Sequence, residues 1–154
     1  MTIKLGDLAP DFSLPDAAGN IYCLSALRGK RVVLYFYPRD NTPGCTKEAC
    51  AFKDFYAQYQ SKEIVVLGIS SDDAKSHKKF IQKYQLPFPL LCDEGAKVAT
   101  AYESYGLKKF MGKEYMGIHR HSFVIGADGT IEKIYRKVKP ETHAEEILSD
   151  IESN

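Results

Sequence analysis

Tryptophan is absent from this chain of 154 residues, and its formal net charge is only +1. The chain also has no long apolar run. The longest, near residues 32–37, has the length of a β-strand and falls far short of the roughly 18 apolar residues that a membrane-spanning helix needs. A nearly balanced charge offers no bulk field to attract nucleic acid or a membrane surface. We therefore expect a globular protein that binds neither, and we interpret the lysine clusters near residues 75–83 and 133–139 as solvated faces.

A secretory signal is missing as well, because residues 1–7 contain neither an apolar segment nor a small-residue cleavage site. We expect a cytoplasmic protein, or an organellar one if a transit peptide has been removed. The length and the ordinary hydrophobic content of 44% predict a single domain over residues 1–154 with a core of its own.

Cysteine is scarce, with four residues and no Cys-x-x-Cys pair. Four are too few for a secreted scaffold built on disulfides, and the spacing of Cys45 and Cys50 is not that of a zinc knuckle. His119 and His121 have no third metal ligand nearby in sequence, so we expect no metal site. A close cysteine pair in a reducing compartment indicates redox or nucleophilic chemistry instead.

The strongest patterns alternate between strand and helix. Apolar runs at residues 31–37 and 64–70 do not alternate with polar residues, which is typical of strands covered on both faces. Helical patterns follow each run, from Thr42 or Pro43 and from about residue 73, and a last helix opens at residues 140–142.

Turn residues separate two predicted hairpins, one of residues 12–15 with 21–24 and one of residues 121–125 with 131–138. Weaker patterns predict a strand at residues 88–92, a short helix at 95–102 and a loop rich in Gly and Lys at 106–117. This order predicts an α/β protein with a thioredoxin-like three-layer fold: a mixed central sheet flanked by helices, with an N-terminal β-hairpin.

Cys45 has the sequence context of a nucleophile. It lies two or three residues into a predicted helix, where unpaired N–H groups and the helix dipole favour a thiolate. A guanidinium would favour it further. Arg39 is near in sequence, but Arg120, at the head of a later core strand, is the better candidate for a fixed partner. An ordinary buried cysteine at a loop-to-helix turn is the alternative.

The loop before Cys45 predicts a small polar pocket over the sulfur. The Thr42 hydroxyl and the N–H groups of Gly44 and Cys45 are expected to converge there. Gly44 leaves the approach open, while Pro38 and Pro43 stiffen the loop. Such a pocket could hold a small molecule with two adjacent oxygens.

The spacing of Cys45 and Cys50 has a mechanical consequence. Five residues of α-helix separate Cα atoms by about 8.6 Å, whereas a disulfide needs them within about 7 Å. The two thiols can therefore pair only if the first turns of the helix unwind.

These motifs resemble the peroxiredoxins. Pro38-x3-Thr42-x2-Cys45 is similar to the family's active-site signature, and the longer run Thr42-Pro43-Gly44-Cys45-Thr46-x-Glu48-Ala49-Cys50-x-Phe52 resembles the Q-type, or bacterioferritin comigratory, subgroup. Further similar segments are Ala9-Pro10-Asp11-Phe12-x-Leu14-Pro15-Asp16, Phe88-Pro89-Leu90-Leu91-x-Asp93 and Gly117-Ile118-His119-Arg120-x-Ser122-Phe123. The missing tryptophan departs from the subgroup and predicts altered packing or partner contacts near residues 102–110.

The resemblance implies a thiol-dependent peroxidase in antioxidant defence that reduces hydrogen peroxide and organic hydroperoxides. Cys45 would be the peroxidatic and Cys50 the resolving cysteine, joined in a redox disulfide. The expected roles of the other residues are peroxide binding by Pro38, Thr42, Gly44 and Arg120, catalysis by Thr42 and Arg120, and orientation of Arg120 by Glu48.

The resemblance also implies thioredoxin or glutaredoxin as reductant, no cofactor and no metal. A local resolving cysteine requires no second subunit, so we expect a monomer. Cys23 and Cys92 are interpreted as core residues, with a backup resolving role as the less favoured alternative. Two other functions remain open: a thioredoxin-type disulfide oxidoreductase, and a binding or chaperone-like domain whose cysteines are merely buried.

Overall fold

A computed structural model describes residues 3–153 of the chain. The strands and helices follow the predicted alternation, with one additional hairpin. In chain order they are β1 (Ser13–Pro15), β2 (Ile21–Cys23), β3 (Arg31–Phe36), α1 (Pro43–Asp54), α2 (Tyr56–Ser61), β4 (Ile64–Ser70), α3 (Ala74–Tyr84), β5 (Leu90–Cys92), α4 (Lys97–Ala101), β6 (Tyr105–Phe110), β7 (Lys113–Ile118), β8 (His121–Ile125), β9 (Ile131–Tyr135) and α5 (His143–Glu152).

The central sheet has five strands in the order β5-β4-β3-β8-β9. Strands β3, β4 and β5 run parallel, whereas β8 and β9 run antiparallel to their neighbours. Strand β3 lies in the middle, and its residues 32–36 are all buried. The predicted mixed sheet is confirmed, and so is the interpretation of the unalternated apolar run as a strand covered on both faces.

Alternate residues of β3 face two separate cores. Val33 and Tyr35 pack with residues of α1, α2, α3 and α5 on one side of the sheet. Leu34 and Phe36 pack with α4 and the N-terminal strands on the other. Since every second side chain of a strand points to the same face, one short segment ties the three layers together.

Helix α1 is held against the sheet by its C-terminal half. The Phe52 ring stacks on Tyr35, with centroids 4.6 Å apart and planes 16° apart. Both side chains are almost completely buried, and such a pair contributes beyond its buried area. This stack anchors α1 near its C-terminal end, far from the N-terminal turn that contains Cys45.

The prediction of a loop at residues 106–117 is wrong, because this segment forms an antiparallel hairpin of β6 and β7. Its turn residues Met111 and Gly112 both have positive φ, 51° and 79°, as the tight turns of two-residue hairpins require. Most side chains on both faces of the hairpin are exposed. Without a buried face the sequence has no apolar–polar alternation to reveal the strands.

Smaller differences concern element ends. The strand predicted at 88–92 begins only at Leu90, after Pro89, whose nitrogen has no hydrogen to donate to a neighbouring strand. The predicted N-terminal hairpin is confirmed, and its turn is closed by the Asp16 carboxylate, which accepts from the N–H groups of Ala18 and Asn20 at 2.9 Å each. None of the helices within residues 3–153 is long and apolar enough to cross a membrane.

Gly68 of β4 offers a test of this packing. A Cβ at this position would lie 2.7 Å from Leu90 and 2.8 Å from the Tyr35 ring. Overpacking a rigid core costs about 1–3 kcal/mol, so Gly68→Ala should lower the free energy of unfolding by that amount in urea titrations. Gly106→Ala is the control, since its Cβ would meet only the His119 ring, at 3.3 Å. Equal stability of the two variants would contradict the packing described.

Candidate active site

The loop after β3 leads directly into the N-terminus of α1. Tyr37 is still buried and donates its N–H to the Ile69 carbonyl at 3.1 Å, so Pro38 starts the loop at a fixed point. Thr42 is the N-cap residue, with extended backbone (φ −97°, ψ 157°), and Pro43 opens the helix. The predicted helix start is confirmed, because proline at the first helical position lacks only an N–H that has no partner anyway.

The Thr42 hydroxyl does not cap the helix. It donates to the Arg39 carbonyl at 2.9 Å, and no side chain caps α1. The N–H groups of Gly44 and Cys45 belong to the first turn, which has no intrahelical acceptors. The pocket therefore offers free N–H donors, while the Thr42 oxygen keeps its lone pairs to accept a hydrogen.

Arg120 reaches the sulfur from 75 residues away in the chain. Its NH2 nitrogen lies 3.3 Å from Cys45 Sγ, and its NH1 nitrogen donates to Glu48 Oε1 at 2.7 Å. Cys45 is 1% exposed. Arg39, the nearer arginine in sequence, is exposed. The partly buried Arg120 guanidinium and the N-terminus of α1 thus place two sources of positive charge beside Sγ.

Gly44 permits this approach of the arginine. A Cβ on residue 44 would lie 3.0 Å from Arg120 NH2 and 3.6 Å from its central carbon. A larger residue would crowd the guanidinium, which would have to shift to make room. The glycine predicted to leave the pocket open thus also makes room for the charged group.

Glu48 holds the other side of the guanidinium and is completely buried. Burial raises the pKa of Glu48 from 4.5 to about 7, although the charge and hydrogen bond of Arg120 pull the pKa down. Its Oε2 atom is buried and has no hydrogen-bond partner among the described residues. The site therefore contains a carboxylate that is only half satisfied, close to its titration point at neutral pH.

Cys50 lies on the same continuous helix as Cys45, and both thiols are free. The Cys50 side chain is partly buried, and this burial raises the pKa of its thiol. With α1 intact, helix geometry keeps the two Cα atoms about 8.6 Å apart, beyond the reach of a disulfide. Two cysteines expected in the core, Cys23 and Cys92, are only partly buried.

The two histidines around Arg120 stack on each other with centroids 5.4 Å apart. His121 Nδ1 lies 2.9 Å from Ser104 Oγ. Burial lowers the pKa of His121 to about 4, so this ring is neutral at physiological pH. Pro38, predicted to shield the pocket, is partly buried at the start of the loop.

Comparison with known proteins agrees with this geometry. Residues 5–134 match the model of the AhpC/TSA family. Peroxiredoxin Bcp of Bacillus subtilis is 46% identical, over 98% of this chain and 96% of its own length. The chain belongs to the AhpC/TSA family of peroxiredoxins.

Two solved structures of Q-type peroxiredoxins have the same fold. A Xylella fastidiosa PrxQ cysteine-to-serine mutant superposes with a TM-score of 0.92 at 33% identity, covering 99% of this chain and 98% of that one. The Xanthomonas campestris bacterioferritin comigratory protein, solved in a study of its alkyl peroxide reduction, gives 0.91 at 31% identity and covers 100% and 97%. As a peroxiredoxin, the chain is a thiol peroxidase that needs a hydroperoxide substrate and a thiol reductant.

Two features of this peroxiredoxin were not predicted from the sequence. Lys108 of β6 donates to the Ile118 carbonyl at 3.0 Å, and its pKa is lowered by burial and then by the nearby charge of Arg120. Asp40 pairs with His77 below the loop, 2.7 Å apart. Only the Asp40–His77 pair had a signal in the sequence. His77 lies three residues before Phe80, on the same buried face of the helix.

The buried Glu48 gives a prediction for pH. The folded protein holds the Glu48 proton to a higher pH than the unfolded chain, so the stability from this group is fully present below pH 4.5 and is lost as the pH rises through about 7. That interval corresponds to about 3 kcal/mol. In urea titrations, Glu48→Gln should lose less stability than the wild type between pH 5 and pH 8.

The matched control is Glu145→Gln on α5, which is exposed and should follow the wild type. An unchanged pH dependence in Glu48→Gln would show that Glu48 is ionised throughout this range.

Proposed function

We propose that this peroxiredoxin reduces hydrogen peroxide and organic hydroperoxides, with Cys45 as the peroxidatic and Cys50 as the resolving cysteine. The observation that carries the proposal is the 3.3 Å contact between Arg120 NH2 and Cys45 Sγ at a helix N-terminus. This contact sets a positive charge beside a sulfur that is almost completely buried, since Cys45 is 1% exposed.

The first step is attack of the Cys45 thiolate on the terminal oxygen of the hydroperoxide. The S–O bond forms as the O–O bond breaks, the alkoxide or hydroxide leaves and takes up a proton, and Cys45 becomes a sulfenic acid. Arg120 and the free N–H groups of Gly44 and Cys45 stabilise the charge that develops on the leaving oxygen. Thr42 accepts a hydrogen bond from the peroxide, Pro38 shields the pocket, and Glu48 orients Arg120.

The second step joins the two cysteines of α1. The Cys50 thiol attacks the sulfenic sulfur, a disulfide forms and water leaves. Because five residues of helix hold the sulfur atoms apart, the first turns of α1 unwind, while the Phe52–Tyr35 stack holds the rest of the helix. A thioredoxin or glutaredoxin then reduces the disulfide by thiol exchange.

This cycle needs no cofactor and no metal, and it is complete within one chain. We therefore propose that residues 1–154 act as a single domain, as a monomer and in the cytoplasm. A disulfide oxidoreductase acting on proteins is less well supported. The two thiols of such an enzyme must form a disulfide without unfolding of the helix. In addition, a buried Cys45 is not accessible to the disulfide of a protein substrate.

Cysteine variants test the two roles. Cys45→Ser should abolish peroxide consumption with a thioredoxin system. Cys50→Ser should consume about one equivalent of peroxide per chain and then fail to turn over with the thioredoxin system, because the sulfenic acid has no resolving thiol; only excess peroxide would oxidise it further, to the sulfinic acid. Peroxide assays and intact-protein mass spectrometry measure both results.

Cys92→Ser is the matched control and should turn over like the wild type. Full turnover by Cys50→Ser would transfer the resolving role to Cys23 or Cys92. Insulin reduction without peroxide consumption would favour the disulfide oxidoreductase.

Unwinding of α1 is a separate prediction. Peroxide-oxidised protein should lose amide-exchange protection and helical circular dichroism over residues 42–52, because the disulfide cannot form on an intact helix. The comparison is with the reduced protein and with oxidised Cys50→Ser, which should keep the helix. Equal protection in the oxidised and reduced wild type would contradict the prediction.

A further inference from the structure

A second group of buried polar side chains lies beneath the active-site loop, apart from the sulfur. Its centre is Asp40, 7% exposed, which contacts the completely buried His77 of α3. Asp40 belongs to the loop itself, two residues before Thr42. Buried charges are rare unless they are paired, so this group calls for a role.

The Asp40 carboxylate accepts three hydrogen bonds from the core. Tyr37 donates its hydroxyl to Oδ1 at 2.6 Å. The Ser76 hydroxyl donates to Oδ2 at 2.8 Å, and His77 Nδ1 lies 2.7 Å from the same oxygen. Side chains from the end of β3 and from α3 thus hold one loop residue from two directions.

The hydrogen-bond partners of both His77 nitrogens favour the protonated ring. His77 Nε2 lies 2.9 Å from the Leu91 carbonyl, which can only accept, so Nε2 carries a hydrogen. Since Nδ1 faces the Asp40 carboxylate, it carries one as well. The charged groups that face the ring are Asp40 and Asp72. Burial lowers the pKa of His77, but Asp40, the Leu91 carbonyl and Asp72 outweigh this effect, so the pKa of His77 is raised.

The backbone of Asp40 is tethered too. Its N–H donates to Asp72 Oδ2 at 2.8 Å, and the same oxygen accepts the Ser70 hydroxyl at 2.7 Å. Residue 40 is therefore held through its backbone by Asp72, which follows β4, and through its side chain by Tyr37 and α3. It is the best-anchored residue of the loop between Pro38 and Thr42.

The residue that follows is conformationally different. Asn41 has a positive φ of 58°, in the left-handed region that non-glycine residues seldom adopt. It is exposed and lies between the anchored Asp40 and the N-cap Thr42, whose hydroxyl bonds back to the Arg39 carbonyl. Apart from a hydrogen bond of 3.3 Å from the Tyr84 hydroxyl to its Oδ1, Asn41 is an exposed residue between a fixed point and a helix end, which is the position of a hinge.

We propose that the Asp40–His77 ion pair is a positioning device of the peroxidase site: it fixes the loop that carries Thr42 and makes Asn41 the hinge at which α1 unwinds. The proposal rests on the proposed function of Cys45. Asp40 and His77 do not touch the sulfur and act through the loop. Loss of either partner would leave an uncompensated buried charge, which relaxes by opening the loop.

A metal site is the alternative use of these residues. Ligand atoms of Asp40, Asp72 and His77 lie within 4.8 Å of one another. However, both nitrogens of His77 point hydrogens at oxygen acceptors, so the ring has no lone pair to offer an ion. The geometry fits a salt bridge.

The experiment compares two reactions of Cys45 in His77→Gln. The rate constant for single-turnover oxidation by hydrogen peroxide should fall at least tenfold, because Thr42 and the helix N-terminus lose their fixed position relative to Arg120. Alkylation by iodoacetamide, which needs no peroxide pocket, should change less than threefold. Lys78→Gln, an exposed neighbour on α3, is the control and should match the wild type in both.

The double variant Asp40→Asn with His77→Gln separates positioning from folding. An amide pair keeps hydrogen bonds without a buried charge, so peroxide reactivity at neutral pH should recover to within threefold of the wild type. In the wild type the raised pKa of His77 keeps the pair intact at lower pH, and it is lost as the pH rises through that pKa. The wild-type peroxide rate should therefore show an alkaline decline that the double variant lacks.

Three results would overturn the proposal: a folded His77→Gln with a peroxide rate within twofold of the wild type, an equal loss in both Cys45 reactions, or the same alkaline decline in the double variant. A wild type that does not react with peroxide would refute the proposed function instead. In that case, amide exchange at residues 39–42 would test whether the ion pair anchors the loop, independently of peroxide chemistry. Faster exchange in His77→Gln would support the anchor, and unchanged exchange would refute it.

Discussion

One guanidinium organises the candidate active site of this peroxiredoxin. Arg120 lies between two groups of α1, with one nitrogen 3.3 Å from Cys45 Sγ and the other 2.7 Å from Glu48 Oε1. Cys45 and Glu48 share a face of the helix because they are three residues apart. The register of the sheet supplies the arginine: Phe36 of β3 pairs with His121 of β8, so Arg120 lies beside the point where the loop leaves the sheet.

The two halves of helix α1 differ in how strongly their contacts stabilise the folded state. Its C-terminal half is held by the stack of Phe52 on Tyr35. Its N-terminal half contains a buried carboxyl group with an oxygen that has no partner among the described residues, and such a group lowers stability. Unwinding the first turns would release that group to water, which offsets part of the free energy needed to open the region proposed to unwind in the catalytic cycle.

Individual elements show where sequence patterns predict structure and where they do not. The apolar runs at β3 and β4 predicted buried strands because burial on both faces leaves a continuous pattern. The hairpin of β6 and β7 was predicted as a loop because neither face is buried enough to impose alternation. The sequence predicted a helix start at Thr42 or Pro43, but not that the Thr42 hydroxyl donates to the Arg39 carbonyl. Sequence spacing places a side chain on an element without choosing its hydrogen-bond partner.

The sequence by itself determined the order of the strands and helices apart from the hairpin of β6 and β7, the position of Cys45 in the first turn of α1, and a spacing to Cys50 that forbids a disulfide in an intact helix. These are local properties, set by periodicity, capping and helix geometry. Only the tertiary structure decided that Arg120 and not Arg39 lies against the sulfur, and that Asp40 pairs with His77, 37 residues away. Such contacts depend on strand register and on the packing of α3, which no local pattern encodes. The physical reason is that charge pairing acts through space, whereas sequence periodicity reports only which face of an element is buried.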